Sequence, residues 1–241
     1  MPRPLALICS VALESEPLLR TMSGATHDEI GHRQVVRGEL AGVPVALVEG
    51  GMGKTNGAQS LTALLERERE IRGVISFGVG GAYPGGGAAV GDVALATAEI
   101  YGDEGVLSPD GWLSTEGIGV PLLEHGPIKH FNEFPLDASR VARGGKALQE
   151  RKIATVTGPF VTVSCCSGIS ASGAELGARF GAVCETMESA AHAHVAALYG
   201  LPYLGVRGIS NLVEDRDTSR WRLREAAGVA AAAVEALVAN W

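Results

Sequence analysis

The chain alternates between two patterns of apolar residues. Short apolar runs, such as Leu5–Val11, Gly73–Phe77 and Tyr203–Ile209, have the length of buried strands. Longer stretches repeat their apolar residues at helical spacing, and those of Met187–Tyr199 fall on one face. Strands that alternate with helices in this way are typical of a mostly parallel sheet that is covered on both faces.

The same patterns predict the remaining elements. The other predicted strands are Arg33–Leu40, Val43–Glu49, Asp92–Ile100, Ile153–Thr157 and Ala182–Glu185. The other predicted helices are a short one from Ser15 and the segments Lys54–Arg69, Asp137–Arg151, Ala171–Phe180 and Arg220–Val238. No repeat or linker divides the chain, so we predict one domain over residues 1–241.

Three segments interrupt the alternation. Gly78–Gly87 is predicted to be a glycine-rich loop after a strand, and Gly158–Phe160 a pause in the chain. Residues 101–135 show no sustained periodicity. Because a long loop in a compact domain is commonly disordered or part of a binding site, we expect residues 101–135 to be one or the other.

Composition and charge exclude several classes of protein. The chain is 46% apolar, enough to fill a core, and its net charge of −7 argues against nucleic-acid or anionic-membrane partners. No apolar run approaches the roughly 20 residues of a membrane helix. The run Leu5–Leu13 ends in Glu14 instead of a signal-peptide cleavage site. The four cysteines lack Cys-x-x-Cys spacing, so we expect reduced thiols and a cytoplasmic protein.

Two glycine-rich segments fail the nucleotide motifs that they suggest. Gly50–Thr55 has Val48 where a P-loop needs glycine, and Gly78–Tyr83 ends in tyrosine where the dinucleotide motif needs a small residue. The first still places free N–H groups at a helix start, where an oxygen-rich ligand binds well. The second follows a buried strand, at the edge where open α/β sheets bind ligands. Tight turns that only allow close packing are the alternative for both.

Acidic residues follow two of the predicted strands. Glu14 and Glu16 come just after the first, and either is a candidate general base for water or an ordinary helix-start acid. Glu185 and Glu188 lie where a strand meets a helix. The helix dipole favours an ionised Glu188, which can accept hydrogen bonds from two ribose hydroxyls, although a helix-start acid explains it equally. His192 follows one turn later, but no third ligand is suitably spaced, so we expect no metal.

Several segments, in order, resemble one family. They are ALESEPLL (12–19), GGMGKTNGA (50–58), SFGVGGAYPG (76–85), AEIYGDEGV (98–106), TGPFVTVS (157–164), ETMESAA (185–191) and VRGISN (206–211). The chain resembles the nucleoside phosphorylase/nucleosidase superfamily, within it the methylthioadenosine/S-adenosylhomocysteine nucleosidases, and most closely the futalosine hydrolases of the alternative menaquinone pathway. The resemblance implies a three-layer α/β/α sandwich around a twisted mixed sheet, a homodimer, no cofactor, and hydrolysis of a purine nucleoside.

The resemblance also implies roles for individual residues. By position, Glu16 matches the acid that activates water. Around the ribose, Met187 matches a residue that packs against the sugar, Glu188 the acceptor of its hydroxyls, and Gly80 and Gly81 its backbone neighbours. Around the base, Phe160 matches the stacked ring, Val161 a backbone neighbour, and Ser210 and Asn211 the pair that recognises the base.

Asn211 bears on which base is bound. The adenine-specific members of the family have Asp at the matching position, whereas the Asn211 amide offers two donors that suit the N7 and O6 acceptors of a 6-oxopurine such as the hypoxanthine of futalosine. A buried group left unpaired costs roughly 1–3 kcal/mol, so the amide should discriminate against adenine. Because Asn cannot give a proton to N7, departure of the base must depend on charge stabilisation.

Water is favoured over phosphate as the nucleophile. The phosphorylases of the family bind phosphate with an Arg and a Ser beside the glycine-rich loop, and the matching positions, Ser76 and Val79, do not supply that pair. Arg20 is an alternative phosphate ligand only if its side chain faces the site instead of solvent.

Alternatives remain for the activity. They are a hydrolase or phosphorylase of other 6-oxopurine nucleosides such as inosine, a methylthioadenosine/S-adenosylhomocysteine nucleosidase, and a non-enzymatic nucleoside-binding protein. The presence of both Glu16 and Glu188 counts against the last, because binding alone does not need a base. Within residues 101–135, Lys129, His130 and Phe131 are candidates for a pocket that holds the aromatic acid of futalosine.

Overall fold

A ten-stranded sheet forms the centre of the molecule. The computed structural model describes residues 3–241. The strands are β1 (Leu5–Cys9), β2 (Ser23–Ile30), β3 (Arg33–Leu40), β4 (Val43–Glu49), β5 (Val74–Ala82), β6 (Val93–Tyr101), β7 (Val106–Ser108), β8 (Gly111–Leu113), β9 (Leu123–His125), β10 (Ile128–His130), β11 (Glu133–Pro135), β12 (Thr155–Thr162), β13 (Cys184–Thr186) and β14 (Tyr203–Leu212). The helices are α1 (Ala12–Leu19), α2 (Lys54–Arg67), α3 (Ala138–Glu150), α4 (Ser170–Phe180), α5 (Ser189–Leu198) and α6 (Leu223–Ala239).

The sheet is mixed, and part of it closes on itself. Its order is β11-β6-β12-β13-β5-β1-β4-β3-β2, and β14 pairs in parallel with β5 and antiparallel with β6. Strands β6, β12, β13, β5 and β14 therefore form a closed ring beside the open part of the sheet. This ring is the feature that brings the carboxyl end of β14 next to those of β1 and β5.

The two faces of the sheet are buried by different helices. On β1, Leu5 and Leu7 belong to a core cluster with residues of α6, whereas Ala6 and Ile8 belong to a second cluster with residues of α2 and α5. This alternation follows from the two-residue period of a strand. The predicted mixed α/β architecture, with helices on both faces, is thus confirmed.

Local patterns located most elements correctly. The hairpin formed by β3 and β4 has the predicted bounds, and its turn at Ala41 and Gly42 has the positive φ angles of a tight turn. None of the helices among residues 3–241 is long and apolar enough to cross a membrane. The four cysteines, all within this range, are unpaired thiols.

Other predicted bounds were wrong. Strand β5 continues to Ala82, through the glycines predicted as a loop, and β12 continues to Thr162 through the predicted pause, with a bulge between Gly158 and Phe160. Helix α1 begins at Ala12, not Ser15. Strand β2 was not predicted because it is an exposed edge strand without a buried alternating face. Residues 101–135 contain β7–β11, which form two small hairpins and one edge strand of the sheet.

Candidate active site

Glu14 lies in the first turn of α1 and is buried against the segment that follows β1 and against strand β5. Its Oε2 accepts hydrogen bonds from the backbone N–H groups of Ser10 (2.8 Å) and Val11 (3.2 Å), and its Oε1 accepts one from Val79 (2.8 Å). The ideal Cβ of an alanine at Gly78 would lie 2.3 Å from Oε1, so only glycine admits this carboxylate. The three N–H donors fix the position and the orientation of the Glu14 carboxylate.

Glu188 lies opposite, immediately before α5, and is 7% exposed. Its Oε1 accepts a hydrogen bond from the N–H of Gly53 (2.7 Å), at the start of α2. Ser10, whose N–H donates to Glu14, also lies close to Glu188 and so is a neighbour of both carboxylates. Burial raises the pKa of Glu188 above its ordinary value, and the bond from Gly53 offsets part of that effect. Half-buried Met187 precedes it at the junction between β13 and α5.

Arg207 is the cation of this cluster. It lies on β14, is 2% exposed, and its guanidinium donates to Ser76 Oγ (2.9 Å) and to the Val206 carbonyl (2.8 Å). Its charge interacts with the carboxylates of Glu14 and Glu188. Tyr203 and Glu99 help to raise the pKa of Arg207 against the opposing effect of its burial. The cluster therefore combines two carboxylates with one permanently charged guanidinium.

His192 contacts the cluster through Ser76. Its Nδ1 is 2.8 Å from Ser76 Oγ, and its Nε2 is buried without a hydrogen-bond partner. Burial, with the nearby charge of Arg207, lowers the pKa of His192 to about 3, so the ring is neutral at physiological pH. It is a core histidine and contributes no charge to the site.

The pair Ser210–Asn211 lies at the carboxyl end of β14, beside Gly80 and Gly81. The Ser210 hydroxyl is within hydrogen-bonding distance of the Gly80 carbonyl (3.2 Å) and of Asn211 Oδ1 (2.7 Å). Asn211 Nδ2 donates to the Leu212 carbonyl (2.9 Å) and lies 3.2 Å from where a Cβ at Gly81 would be. With its oxygen turned to Ser210, Asn211 has one further N–H for a ligand.

Two predicted base contacts are elsewhere. Phe160 is 0% exposed and packs in a core cluster with Ala82, Ala96 and Ile209. No face of the ring is exposed in the structure, and its role as a stacking ring stays a prediction. Val161 is also 0% exposed and belongs to another core cluster. Both residues are buried because β12 continues beyond them to Thr162 instead of ending there.

The structure places Glu16, the predicted base, away from the cluster, and its catalytic role stays a prediction. It is exposed on α1, and its carboxylate lies 3.6 Å from the guanidinium of Arg20, which is itself exposed. Residues two apart on a helix point in nearly opposite directions, about 200° apart. Because Glu14 faces Val79 and the cluster, Glu16 faces solvent. Arg20 is the solvated residue that the sequence suggested.

Sequence reasoning missed Arg207 and Ser10. A detectable signal existed for Arg207: a single charged residue inside an otherwise apolar strand must be paired, because burying an isolated charge is costly. Ser10 had no comparable signal, since a serine at the end of a strand is common in turns.

Two cavities lie near these elements. One, of about 790 Å³, has Asn211, Ser167 and Trp221 in its wall. The other, of about 700 Å³, is lined by Lys129, His130, Phe131 and neighbouring aromatic residues of the segment 101–135 and α4. Neither Glu14 nor Glu188 lines either cavity, so the structure does not join the second cavity to the carboxylates.

Comparison with known proteins gives a consistent set of relatives. A family model described as the phosphorylase superfamily matches residues 4–239. Futalosine hydrolase of Thermus thermophilus is 32% identical over 204 residues, 83% of this chain and 84% of that protein. 5′-Methylthioadenosine/S-adenosylhomocysteine nucleosidase of Actinobacillus succinogenes is 30% identical over 213 residues, 86% and 85% of the two chains. The crystal structure of the nucleosidase of that name from Neisseria meningitidis, in complex with methylthio-immucillin-A, has a TM-score of 0.85 and 24% identity over 99% of this chain and 100% of that one.

Proposed function

Since this chain belongs to the phosphorylase superfamily, we propose that it cleaves the N-glycosidic bond of a purine nucleoside with water, and that the nucleoside is futalosine. Relatives named futalosine hydrolase, at 30–34% identity, support the substrate. The products are hypoxanthine and dehypoxanthinyl futalosine. The match to residues 4–239 supports the prediction of one domain for this activity.

One observation supports water over phosphate most directly. The backbone N–H groups that could cradle a phosphate already donate to the protein's own carboxylates, three of them to Glu14 and that of Gly53 to Glu188. A phosphate dianion would meet two carboxylates at this place, with one guanidinium, Arg207, to offset them. A neutral water molecule meets no such repulsion.

The proposed mechanism assigns one step to each group. The bond between C1′ and the purine nitrogen breaks, its electrons go to the purine, and a ribosyl oxocarbenium ion forms. Glu188 accepts hydrogen bonds from the ribose hydroxyls and stabilises the positive charge. Water adds to C1′ while Glu14 takes its proton, and the departing purine is protonated from solvent. A general base of this kind contributes about 10²–10⁴-fold to the rate.

Asn211 supports hypoxanthine as the base. The Ser210 hydroxyl, near the amide oxygen, leaves an N–H of Asn211 to donate to the O6 acceptor of a 6-oxopurine. The 6-amino group of adenine is a hydrogen-bond donor, so it would face the N–H of Asn211 with no acceptor between them. We therefore propose that Asn211 selects the 6-oxopurine.

The substrate is tested by incubating the protein with futalosine, inosine and methylthioadenosine, with and without phosphate, and measuring the released base. We expect hypoxanthine from futalosine at a rate that phosphate does not change. A rate that requires phosphate would replace hydrolysis by phosphorolysis. Asn211→Asp should shift the preference toward methylthioadenosine by about tenfold or more. An unchanged preference would remove Asn211 from base selection.

The general base is tested with a matched pair of variants on one helix. Glu14→Gln should lower kcat by about 10²–10⁴-fold and leave nucleoside binding nearly unchanged. Glu16→Gln, two residues later on the exposed side of α1, should keep the wild-type rate. If Glu16→Gln is the slower variant, the assignment to Glu14 is wrong.

A methylthioadenosine/S-adenosylhomocysteine nucleosidase is the second candidate, because a relative of that name is 30% identical over 86% of this chain. Release of adenine from methylthioadenosine faster than hypoxanthine from futalosine would favour it. The substrate panel described above distinguishes the two.

We also propose that the protein is a homodimer. Large apolar side chains in the segment 101–135 are exposed, including Leu107 (84%), Val120 (57%) and Ile128 (57%). Their burial against a second copy would remove apolar surface from water. Light scattering should give twice the chain mass, and Leu107→Glu should shift it toward the monomer; a wild-type monomer at all concentrations would contradict this proposal.

A further inference from the structure

Glu99 is a buried carboxylate that the proposed mechanism does not use. It lies on β6 and is 0% exposed. Its Oε2 accepts a hydrogen bond from Ser189 Oγ (2.6 Å), and its Oε1 accepts one from the Tyr203 hydroxyl (3.0 Å). A carboxyl group in the core needs such hydrogen-bond partners, because its burial lowers the stability of the folded protein. An apolar side chain at this position would not carry that penalty, which points to a role of Glu99 beyond folding.

The Tyr203 bond connects Glu99 to the active-site cation. The Tyr203 side chain also lies next to Ser76, which accepts a hydrogen bond from the guanidinium of Arg207. Ser76 in turn lies against neutral His192. Polar side chains therefore lie next to one another from Glu99, through Tyr203 and Ser76, to Arg207 inside the protein.

The Ser189 bond connects Glu99 to the turn that carries Glu188, the carboxylate proposed to bind the ribose hydroxyls. Ser189 is the first residue of α5 and follows Glu188 directly. Its hydroxyl also lies 2.7 Å from Thr186 Oγ1, which is 2.8 Å from Thr162 Oγ1. The start of α5 is thus held by hydroxyl groups that end at Glu99.

The strand above Glu99 leaves room for its carboxylate. Tyr203, which bonds Glu99, and Arg207 both lie on β14, and Gly205 lies between them in the sequence. A Cβ at Gly205 would lie 2.1 Å from Glu99 Oε1. The glycine lets the carboxylate sit directly against the strand that carries Arg207.

We propose that Glu99 is a positioning residue: through Tyr203 and Ser76 it orients the guanidinium of Arg207 toward the Glu14–Glu188 pair, and through Ser189 it fixes the turn that carries Glu188. The inference rests on the proposed function, since it gives that site its geometry. Glu99 does not touch the substrate.

Other charged or titratable groups surround Glu99 and share its field. They are Tyr203 and Arg207 on β14, Tyr101 at the end of β6, and Cys184 on β13. Burial raises the pKa of each of the two tyrosines and of Cys184, so these three are uncharged at neutral pH. Arg207 is therefore the counter-charge of Glu99 among them.

The test uses Glu99→Gln and Tyr203→Phe. Gln keeps the shape and can still bond Ser189 and Tyr203, so it removes the charge with little change in packing. Phe keeps the charge at Glu99 and removes the link to Ser76. Tyr83→Phe is the matched control, because Tyr83 is also buried and its hydroxyl also donates to a buried carboxylate, Oε2 of Glu185 (3.0 Å), without a bond to Arg207 or Ser76.

Both test variants should lower kcat by roughly ten- to a hundredfold, with KM changed less than threefold. In Glu99→Gln, the kcat–pH profile should also lose the change that ionisation of Glu99, whose pKa burial raises to about 7, produces in the wild type. Tyr83→Phe should keep the wild-type kcat. Lower thermal stability in the test variants with wild-type kcat and pH profile would show a purely structural role and overturn the proposal.

A measurement without substrate separates this inference from the proposed function. In the unligated protein, NMR of the Arg207 guanidinium should show restricted rotation in the wild type and faster rotation in both test variants. If no nucleoside is hydrolysed but this difference is seen, the proposed function fails and the positioning of Arg207 stands. Equal rotation in all proteins would overturn the positioning role, whatever the substrate.

Discussion

Two buried groups of the site should make opposite contributions to stability as the pH changes. His192 has its pKa lowered to about 3 by burial, from 6.5. Acidification below pH 6.5 therefore protonates this histidine in the unfolded chain only, and stability falls. At 1.36 kcal/mol per pH unit, the loss is about 1 kcal/mol at pH 5.5 and about 3 kcal/mol at pH 4.5.

Glu99 acts in the other direction. Burial raises its pKa to about 7, from 4.5, against the lowering effects of Arg207, Ser189 and Tyr203. A carboxyl group with a raised pKa binds its proton more strongly in the folded state, so stability rises as the pH falls from above 7 toward 4.5. The gain is about 3 kcal/mol, and in the wild type it nearly cancels the loss from His192.

Single variants should uncover the two opposite slopes. Relative to the wild type, Glu99→Gln should lose about 3 kcal/mol of unfolding free energy between pH 7.5 and 4.5, and His192→Asn should gain about 3 kcal/mol. Urea denaturation of the three proteins at pH 7.5, 5.5 and 4.5 measures this, because other titrating groups cancel in the differences. The double variant should again follow the wild type. Differences that stay constant with pH would refute the reasoning.

Two further predictions concern helices α2 and α5. Gly57→Ala should destabilise the protein by about 1–3 kcal/mol, because the new Cβ would lie 2.7 Å from Nε2 of His192. Gly228→Ala, in α6 with no atom within 4 Å of the new Cβ, should instead stabilise it by about 0.5–1 kcal/mol; both are measured by urea denaturation, and equal effects would contradict the packing argument. Glu188→Gln, made in the Glu14→Gln background so that substrate survives, should raise the nucleoside Kd more than tenfold by calorimetry, and an unchanged Kd would exclude the ribose contact.

The sequence by itself determined the elements that can be recognised from residues close together in the chain. Buried strands such as β1, and the hairpin of β3 and β4, have apolar or turn patterns that depend on neighbours along the chain. Glu188 and Asn211 were placed near the ends of β13 and β14 because each lies within three residues of the end of a predicted strand, Ala182–Glu185 or Tyr203–Ile209. For such residues, local order is enough.

Only the tertiary structure decided which side chains meet. Glu14 and Glu16 are equivalent in sequence, and the choice between them depends on which side of α1 docks against Val79, on another strand. Phe160 lies in the core because β12 pairs further along β13 than its glycine and proline suggested. Arg207 reaches the carboxylates because β14 closes the ring between β5 and β6. Each of these outcomes depends on contacts between residues far apart in the chain, which local hydrophobic patterns do not encode.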